Sequence, residues 1–333
     1  MRIGISIFSK SVLWCVLFAN FAAAQDSPRF QIKGNAILLN QKPVIVRGVN
    51  AMNIFGVKDP MYWPGTGIVR EFVGDLKNAP LKADETYRDQ KHHWTLHGLQ
   101  GLVDANRKRG LVTILCACGW DAFAETEFSG KTPMASPWYD GYKARMREWV
   151  SQFKGQPDVW IEVINEPFKP LTSIEDENCW LATMVDMVDN LRSAGWDGII
   201  LVPGSGWGQD EAVIEKLGPQ LFQGRRDLLF DVHIYNRWLD HPESIPERCA
   251  RIKASGLPFI FAELGPGSGP KWVRDARPFI KAALENHFSV LAWGWGTWGP
   301  RHPINLELNN GDPNNVGNYN WGTSFKEFLA SPH

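Results

Sequence analysis

Residues 159–166 read Val-Trp-Ile-Glu-Val-Ile-Asn-Glu, an almost continuous apolar run that ends in two polar residues, Asn165 and Glu166. A short run that is apolar in nearly every position is typical of a strand buried on both faces of a parallel sheet. Seven further runs of this kind are spread along the chain, at 44–50, 67–73, 111–118, 198–203, 228–235, 258–264 and 289–295. The sequence therefore predicts eight buried strands.

Segments with helical spacing separate most of these strands. Tyr142, Met146, Trp149, Val150 and Phe153 form one apolar helical face after the third strand, and a similar face lies at 273–284. Other helices are predicted at 84–109, 176–194, 209–222, 244–255 and 320–331. Strands that alternate with helices favour a parallel sheet, and eight such units favour a closed barrel.

The fold prediction is therefore α/β, a (β/α)₈ TIM barrel. A short N-terminal β-hairpin precedes it at 30–50, with its turn at 40–43. The run after the first barrel strand, at 51–66, contains Pro60 and Pro64, which predicts a loop and a shortened first helix. A doubly wound open sheet is the rival architecture. It normally carries a glycine-rich phosphate loop after the first strand, and no such GxGxxG motif follows that strand here.

Residues 1–24 have the three zones of a secretory signal peptide. Arg2 and Lys10 supply positive charge, 11–21 is largely apolar, and small residues precede the expected cleavage after Ala24. The apolar run is too short to span a bilayer. A lipoprotein signal at Cys15 is the alternative, disfavoured because the preceding residue is a tryptophan. We expect a secreted protein, extracellular or periplasmic, whose single catalytic domain covers 25–333.

The charge of the mature chain excludes some classes of partner. Loss of the leader removes two basic and no acidic residues, which leaves 33 Lys and Arg against 36 Asp and Glu, a formal charge of −3. This balance gives no electrostatic reason to expect nucleic acid or an anionic membrane as partner. We expect a monomer that needs no metal and no cofactor. The remaining cysteines are expected as buried free thiols, at positions 116, 118, 179 and 249.

Polar residues stand where the predicted strands end, and in a barrel of this class the active site lies at those carboxyl-terminal ends. The residues at these positions, including the aromatic Tyr235 and Trp293, are Asn50, Arg70, Asn165, Glu166, His233, Tyr235, Glu263 and Trp293. Glu166 and Glu263 are carboxylates on two different strands, which is the pair that glycoside hydrolysis requires. One glutamate at a strand end is more often a loop ion pair. Burial of so many polar groups at one rim needs a further explanation.

Four segments carry a family resemblance. They read IEVINEP (161–167), FDVHIY (230–235), FIFAELG (259–265) and VLAWGW (290–295). The first resembles the Asn-Glu-Pro signature of clan A glycoside hydrolases. All four together, in order and spacing, resemble glycoside hydrolase family 5, the cellulase and mannanase family. The resemblance covers nearly the whole mature chain and implies a (β/α)₈ fold and a retaining double displacement.

The resemblance also implies roles for the two carboxylates and their neighbours. Glu166 becomes the acid/base and Glu263 the nucleophile. Arg70 would hold the nucleophile ionised, while His233 and Tyr235 would orient the carboxylates. A guanidinium and a tyrosine hydroxyl close to the nucleophile should lower its pKa.

Further residues are implied to bind the sugar. Asn165 would bond the 2-hydroxyl, and Trp293 would form the floor of the subsite at the cleaved bond. Trp207 follows the fifth strand, where relatives place an aromatic residue that stacks on a sugar. Three other loop tryptophans could serve either as platform or as core: Trp120, Trp238 and Trp298.

Two features depart from the expected site. Glu162 lies four residues before Glu166, hence deeper on the same side of the strand, and is predicted to be a structural carboxylate paired with Arg70 or Arg47. Family members usually carry a histidine at the end of the third strand, where this chain reads CACGW at 116–120.

The leading functional prediction is an endo-acting hydrolase of β-1,4-linked glucan. A β-mannanase is the alternative within the enzyme class, because LAWGWG at 291–296 resembles the mannanase form of the eighth strand. A non-catalytic carbohydrate-binding barrel is the alternative of another class. It would keep the aromatic residues and lose the chemistry, whereas both carboxylates are present here.

Overall fold

The barrel closes as the sequence predicts. The computed structural model describes residues 30–51, 53, 61–73, 96–117, 128–267, 273–296, 302, 305–308, 310–315 and 319–332. Eight parallel strands form one closed barrel, in the order β4 to β11 with β11 paired to β4. They are β4 (Arg47–Ala51), β5 (Ile68–Val73), β6 (Val112–Ala117), β7 (Val159–Glu162), β8 (Ile200–Pro203), β9 (Leu228–Ile234), β10 (Phe259–Leu264) and β11 (Ser289–Trp295). The (β/α)₈ prediction is confirmed.

Helices follow seven of the eight barrel strands within the described ranges. They are α1 (Leu96–Lys108), α2 (Tyr139–Phe153), α3 (Ile174–Ser193), α4 (Glu211–Leu221), α5 (Asn236–Leu239), α6 (Ile245–Ala254), α7 (Arg277–Asn286) and α8 (Trp321–Ala330). The short helix α5 was not predicted. Residues 61–67 form no helix, and the rest of the predicted loop after β4, at 52 and 54–60, lies outside the described residues. No helix in the described part of the chain is long and apolar enough to cross a membrane.

The strand β7 is shorter than predicted. It ends at Glu162, whereas the apolar run continues to Glu166. The backbone of Glu166 has φ of 44° and that of Phe168 has φ of 58°, both in the left-handed region that a strand cannot contain. The chain therefore leaves the barrel wall just before the candidate acid/base.

The N-terminal segment forms one strand more than the predicted hairpin. The strands β1 (Phe30–Lys33), β2 (Ala36–Leu39) and β3 (Lys42–Val44) make an antiparallel sheet. Phe30 packs edge-on against Trp160 at the amino-terminal end of β7, with ring centroids 5.2 Å apart. A cavity of about 1040 Å³ with a largely apolar lining lies beside this sheet, at the end of the barrel away from the predicted carboxylates.

The barrel interior is divided into an apolar and a polar half. Ile68 and Leu229 belong to an apolar cluster near the amino-terminal end, together with Trp160. Two residues further along the same strands stand Arg70 and Asp231, both fully buried. Because strand side chains alternate between faces, residues two apart point the same way. The polar half therefore lies directly above the apolar cluster, at the carboxyl-terminal end.

Candidate active site

The arginine on β5 is the centre of a buried hydrogen-bond network. Arg70 donates from Nη1 to Glu263 Oε1 at 2.6 Å and to Asn50 Oδ1 at 2.9 Å. Its Nη2 donates to Glu162 Oε1 at 2.7 Å and to Asn165 Oδ1 at 2.8 Å, while its Nε reaches the second oxygen of Glu162. One guanidinium thus fixes side chains from four strands or strand ends. Glu162 is the structural partner of Arg70, one of the two arginines proposed for it from the sequence.

The carboxylate on β10 reaches this network because the strand is irregular. The pairing of β10 with β9 shifts register between Ile260 and Glu263. Regular alternation would turn Glu263 away from the face that Ala262 shares with the interior cluster. Such irregularities often re-aim a side chain next to an active site. Here the shift lets Glu263 meet both Arg70 and Tyr235, whose hydroxyl donates to Glu263 Oε2 at 2.6 Å.

Burial dominates the protonation of this carboxylate. It raises the pKa of Glu263 above its ordinary value, although His233 and Arg70 act in the opposite direction and Tyr235 helps them. Arg70 and Tyr235 thus lower the pKa of Glu263 as expected from the sequence, but burial outweighs them and the net shift is upward instead of downward. Burial also raises the pKa of Tyr235, and Glu263 adds to this. The tyrosine therefore stays protonated and remains a donor to the carboxylate.

The other carboxylate occupies the start of the loop after β7. Glu166 is partly exposed, with 22% of its side chain accessible, so a substrate can reach it. Its Oε1 lies 2.9 Å from His233 Nδ1, and its Oε2 accepts a hydrogen bond from Ser129 Oγ at 3.3 Å. The contrast with Glu263, which is 4% exposed, places one carboxylate at the cleft surface and the other at its base.

A histidine on β9 connects the two carboxylates. His233 Nδ1 lies 2.9 Å from Glu166 Oε1 and 3.6 Å from Glu263 Oε2. Burial lowers the pKa of His233, but Glu263 and Asp231 outweigh it and leave the pKa well above its usual value. The imidazole nitrogen on the far side, Nε2, lies 3.0 Å from Asp231 Oδ2.

The spacing of the carboxylates can be bounded from this cluster. One oxygen of Glu166, one oxygen of Glu263 and a nitrogen of His233 all lie within 4.8 Å of one another. Retaining glycosidases separate their carboxyl groups by about 5–5.5 Å and inverting ones by roughly 6.5–9.5 Å. An oxygen pair within 4.8 Å is compatible with the shorter spacing of retaining enzymes and lies below the range of inverting ones.

Two groups of three side chains in this region lie close enough together to hold a metal ion, and the first triad consists of Glu166, His233 and Glu263. The second triad consists of Glu162, Asp231 and His233. Glu166 Oε2 already accepts a hydrogen bond from Ser129 Oγ, and Asp231 Oδ1 accepts one from Ala262 N. The oxygens of Glu162 and Glu263 accept hydrogen bonds from the Arg70 guanidinium, and Tyr235 is a second donor to Glu263. A metal cation would have to compete with that guanidinium for the same oxygens. The donor set therefore fits a hydrogen-bonded acid network better than a metal centre.

Backbone hydrogen bonds join the loops around the acid/base. Gly130 N, in the loop after β6, donates to Glu166 O at 2.8 Å, and Phe168 N donates back to Lys131 O at 2.8 Å. Trp207 N, in the loop after β8, then donates to Phe168 O at 3.1 Å. Main-chain hydrogen bonds therefore tie three consecutive loops together.

The tryptophan at the end of this chain of bonds is half-buried. Trp207 is 37% exposed and has φ of 57°. A Cβ on Gly130 would lie 2.4 Å from Trp207 Nε1, so the indole edge rests directly on that glycine. A Cβ on the next residue, Gly208, would lie 2.9 Å from the ring of His233. Trp207 thus lies within one residue of the catalytic cluster with part of its ring open to solvent.

The remaining sequence-predicted residues fall into three groups. Trp293 is 6% exposed and packs edge-on against Phe72 at 4.8 Å, and its Cβ would lie 3.4 Å from a Cβ on Gly265, two residues after Glu263. Asn165 offers Oδ1 to Arg70, and no described residue accepts a hydrogen bond from its Nδ2. Trp238 is fully buried and its Nε1 donates to Gln209 O, so it belongs to the core. Trp120, Trp298 and Cys118 lie outside the described residues.

Sequence reasoning missed Asp231 and Ser129. Asp231 stands two residues before His233, so strict alternation places both side chains on the inward face of β9. That signal was available in FDVHIY at 230–235. Ser129 lies in a loop, where alternation carries no information, and no sequence signal could have paired it with Glu166.

The fold and the site together define a class, that of (β/α)₈ glycoside hydrolases with two carboxylates at the carboxyl-terminal rim. The family model for cellulase (glycosyl hydrolase family 5) matches residues 48–299. The chain belongs to glycosyl hydrolase family 5, and it is a retaining glycoside hydrolase. The resemblance drawn from the four sequence segments is confirmed, and the non-catalytic barrel is excluded.

Three individual comparisons refine this picture. The chain is similar to a mannan endo-1,4-beta-mannosidase of Cellvibrio japonicus, with 28% identity over 145 residues, covering 42% of this chain and only 33% of that protein. It is similar to a mannan endo-1,4-beta-mannosidase of Salipaludibacillus agaradhaerens, with 24% identity over 270 residues, covering 80% of this chain and 81% of the relative. The crystal structure of a beta-mannanase from Streptomyces thermolilacinus superposes with a TM-score of 0.67 at 19% identity, over 90% of this chain and 96% of the other.

Proposed function

We propose that the chain is a retaining endo-β-1,4-mannanase in which Glu166 is the acid/base and Glu263 the nucleophile. The single observation that carries the mechanism is the spacing of their oxygens within 4.8 Å, which fits double displacement. The proposed substrate rests on the relatives, because the two similar proteins named above are both mannan endo-1,4-beta-mannosidases. We therefore propose mannan, the alternative substrate inferred from the sequence, in place of β-1,4-glucan as the leading substrate.

The reaction proceeds in two balanced steps. Ionised Glu263 attacks the anomeric carbon while Glu166 gives its proton to the leaving glycosidic oxygen, and a glycosyl ester forms. Arg70 and Tyr235 hold Glu263 by one hydrogen bond to each oxygen, which fixes the direction of attack. Glu166 then takes a proton from water, the hydroxide oxygen bonds to the anomeric carbon, and Glu263 leaves as a carboxylate.

Sugar contacts are proposed for three residues around this pair. The Nδ2 of Asn165 faces no described acceptor, so it can donate to the 2-hydroxyl of the sugar. Trp293 lies close to Gly265, two residues after Glu263, and would form the floor of the subsite. Trp207 would stack on a neighbouring sugar with its exposed face. Stacking on a flat apolar ring face suits pyranose rings because one side of the sugar carries mainly C–H groups.

Two variants test the assignment of roles. Glu263→Ala should lose turnover, and azide should restore cleavage of an activated aryl glycoside with an inverted product. Glu166→Ala should keep partial activity on substrates with good leaving groups and give a β-configured azide product. The opposite pattern would mean that the two roles are exchanged, and near-normal activity of both variants would place the site elsewhere.

Substrate choice is tested with matched polymers and aryl glycosides. The enzyme should cleave mannan and a chromogenic β-mannobioside faster than β-1,4-glucan and the matched β-cellobioside. β-1,4-Glucan is the second candidate, because the matched family model is the one described as cellulase. A preference for the cellobioside would restore the original prediction. Release of mixed-length products from the start of digestion would support endo action, and release of a single short product would contradict it.

We also propose that the protein is exported with its leader removed and acts as a monomer with one catalytic domain at 25–333. The leader zones at 1–24 support export. Sequencing the amino terminus of protein recovered from the culture medium or periplasm should give Gln25 as the first residue. Retention of Met1, or recovery of Cys15 in lipidated form, would contradict cleavage after Ala24.

A further inference from the structure

A second buried acid stands behind the catalytic histidine. Asp231 is fully buried on β9, and both its oxygens are occupied. Its Oδ1 accepts a hydrogen bond from Ala262 N at 2.9 Å, and its Oδ2 lies 3.0 Å from His233 Nε2. The backbone N–H can only donate, so Oδ1 is fixed as an acceptor and the orientation of the carboxylate is fixed with it.

This geometry decides which nitrogen of the histidine carries hydrogen. An ionised carboxylate can only accept, so His233 Nε2 must donate to Asp231 Oδ2. Only the protonation of Nδ1 is then left open, and Nδ1 faces Glu166 Oε1 at 2.9 Å. Two acceptors at that distance repel, so one proton must lie between Nδ1 and Glu166 in the resting enzyme. It belongs to the pair rather than to either residue.

We propose that Asp231 is a positioning residue that controls this shared proton through His233, and that the shared proton is the one delivered to the leaving oxygen. The inference rests on the proposed role of Glu166 as acid/base. In the first step the proton passes from the pair to the glycosidic oxygen, which leaves Glu166 ionised and His233 neutral with Nδ1 unprotonated. Two acceptors then face each other, which strengthens Glu166 as a base. In the second step the proton from water restores the original state.

The charges around the histidine support this arrangement. Carboxylates face His233 from three elements: Glu166 from the loop after β7, Glu263 from β10, and Asp231 from β9 itself. Glu162 on β7 is close enough to interact with both Asp231 and His233. The nearest cation of the network, Arg70, binds Glu162 and Glu263, so its single positive charge is shared between these two of the four acids. Asp231 and Glu166 are therefore the two acids that depend on the imidazole for a hydrogen-bond donor with positive charge.

The test is Asp231→Asn. The buried Ala262 N–H still needs an acceptor, so the new amide should turn its oxygen to Ala262 and its NH₂ to His233 Nε2. That forces hydrogen onto Nδ1, the wrong tautomer, as an aspartate-to-asparagine change does in catalytic triads. The Nδ1–H of His233 then becomes a fixed donor that stabilises ionised Glu166. The proton that the pair can deliver to the leaving oxygen is therefore lost at lower pH than in the wild type.

Two readouts distinguish this role from a structural one. Relative to the wild type, kcat/KM for an aryl glycoside with a poor leaving group should fall at least about tenfold more than for the dinitrophenyl analogue, because only the former needs general acid catalysis. The basic limb of the kcat/KM profile should move to lower pH by about one unit. Equal loss on both substrates with an unmoved basic limb would overturn the proposal, and so would wild-type behaviour.

Controls separate this inference from the ones it rests on. Both aryl glycosides carry the sugar that the wild type cleaves, so the result does not depend on the proposal that this sugar is mannose. Glu166→Ala is measured on the same pair of substrates. If the loss of activity depends on the leaving group in Glu166→Ala but not in Asp231→Asn, the role of Asp231 is contradicted and the role of Glu166 stands. If the loss depends on the leaving group in neither variant, the assignment of Glu166 as acid/base is contradicted as well. Glu211→Gln is the matched control for neutralising a buried carboxylate away from the site, where Glu211 pairs with Arg248. It should show neither effect.

A spectroscopic measurement on the wild type covers the case that Asp231→Asn does not fold. In protein labelled with ¹⁵N-histidine, the His233 signals are identified by their loss in His233→Gln. The proposal expects Nε2 to remain protonated across the pH range while Nδ1 titrates. A neutral ring with hydrogen on Nδ1 would contradict it.

Discussion

The substitution Trp207→Ala tests whether this side chain binds substrate or merely fills space. The structure allows the expected effect to be estimated, because 37% of the residue is exposed. A tryptophan side chain buries up to about 250 Å², so about 90 Å² of Trp207 is open to a sugar. At about 25 cal/mol per Å², covering that area contributes about 2 kcal/mol. The expected loss is therefore about thirtyfold in kcat/KM on long oligosaccharides, since 1.4 kcal/mol is roughly tenfold.

The assay combines chain-length dependence with thermal melting on one preparation. Short aryl glycosides that do not reach the Trp207 subsite should lose much less activity than long oligosaccharides. The melting temperature should change little. Trp238→Ala is the matched control, because Trp238 is a fully buried tryptophan in the short helix α5 after the next strand. Its truncation should lower stability by about 3–5 kcal/mol, as for other large core residues.

The reasoning about Trp207 would be refuted by the behaviour expected of Trp238. A large fall in melting temperature, with equal loss of activity on short and long substrates, would make Trp207 part of the scaffold. Unchanged kinetics on every substrate would also refute it, because the exposed ring would then contact no sugar.

Three further outcomes are expected. Gly130→Ala should displace the indole of Trp207, because the new Cβ would lie 2.4 Å from its Nε1 at a residue with φ of 63°, so activity should fall on long substrates while short ones are spared. Activity should survive EDTA; a loss that one metal restores would contradict the absence of a metal from the mechanism. Burial lowers the pKa of His233 but Glu263 and Asp231 raise it further, so the stabilisation from its charge is complete below about pH 6.5 and is lost as pH rises through the raised pKa. His233→Gln should therefore flatten the decline of melting temperature on the alkaline side, and an equally steep decline would contradict this.

The sequence predicted the barrel because strand burial leaves a direct trace in composition. The run at 289–295 was placed at the observed bounds of β11, and the other strands within a few residues. The largest error was at β7, where apolar residues continue past Glu162 although the backbone has turned. Val163 and Ile164 stay fully buried beyond the end of the strand, and Val163 N still donates to Leu201 O of β8. Composition therefore does not show where the strand ends.

The candidate site was predictable at strand ends and less so elsewhere. Glu166, Glu263 and Arg70 follow from position along a strand, and the structure brings them together. Their protonation does not follow, because the burial that raises the pKa of Glu263 is a property of the assembled barrel. The same limit applies to Ser129, which meets Glu166 only through the folding of two loops.

The main-chain bonds from Gly130 to Glu166 and from Phe168 to Trp207 have a consequence for engineering and divergence of this enzyme. They set the distance between Trp207, the proposed sugar platform, and Glu166, the proposed acid/base, through main-chain groups. Replacing the aromatic residue at 207 can therefore change which sugar is preferred while the lengths of the products stay the same. Insertions or deletions in any one of the three loops would shift platform and cleavage point relative to each other. Product length should accordingly diverge by changes in loop length, and sugar preference by point substitution.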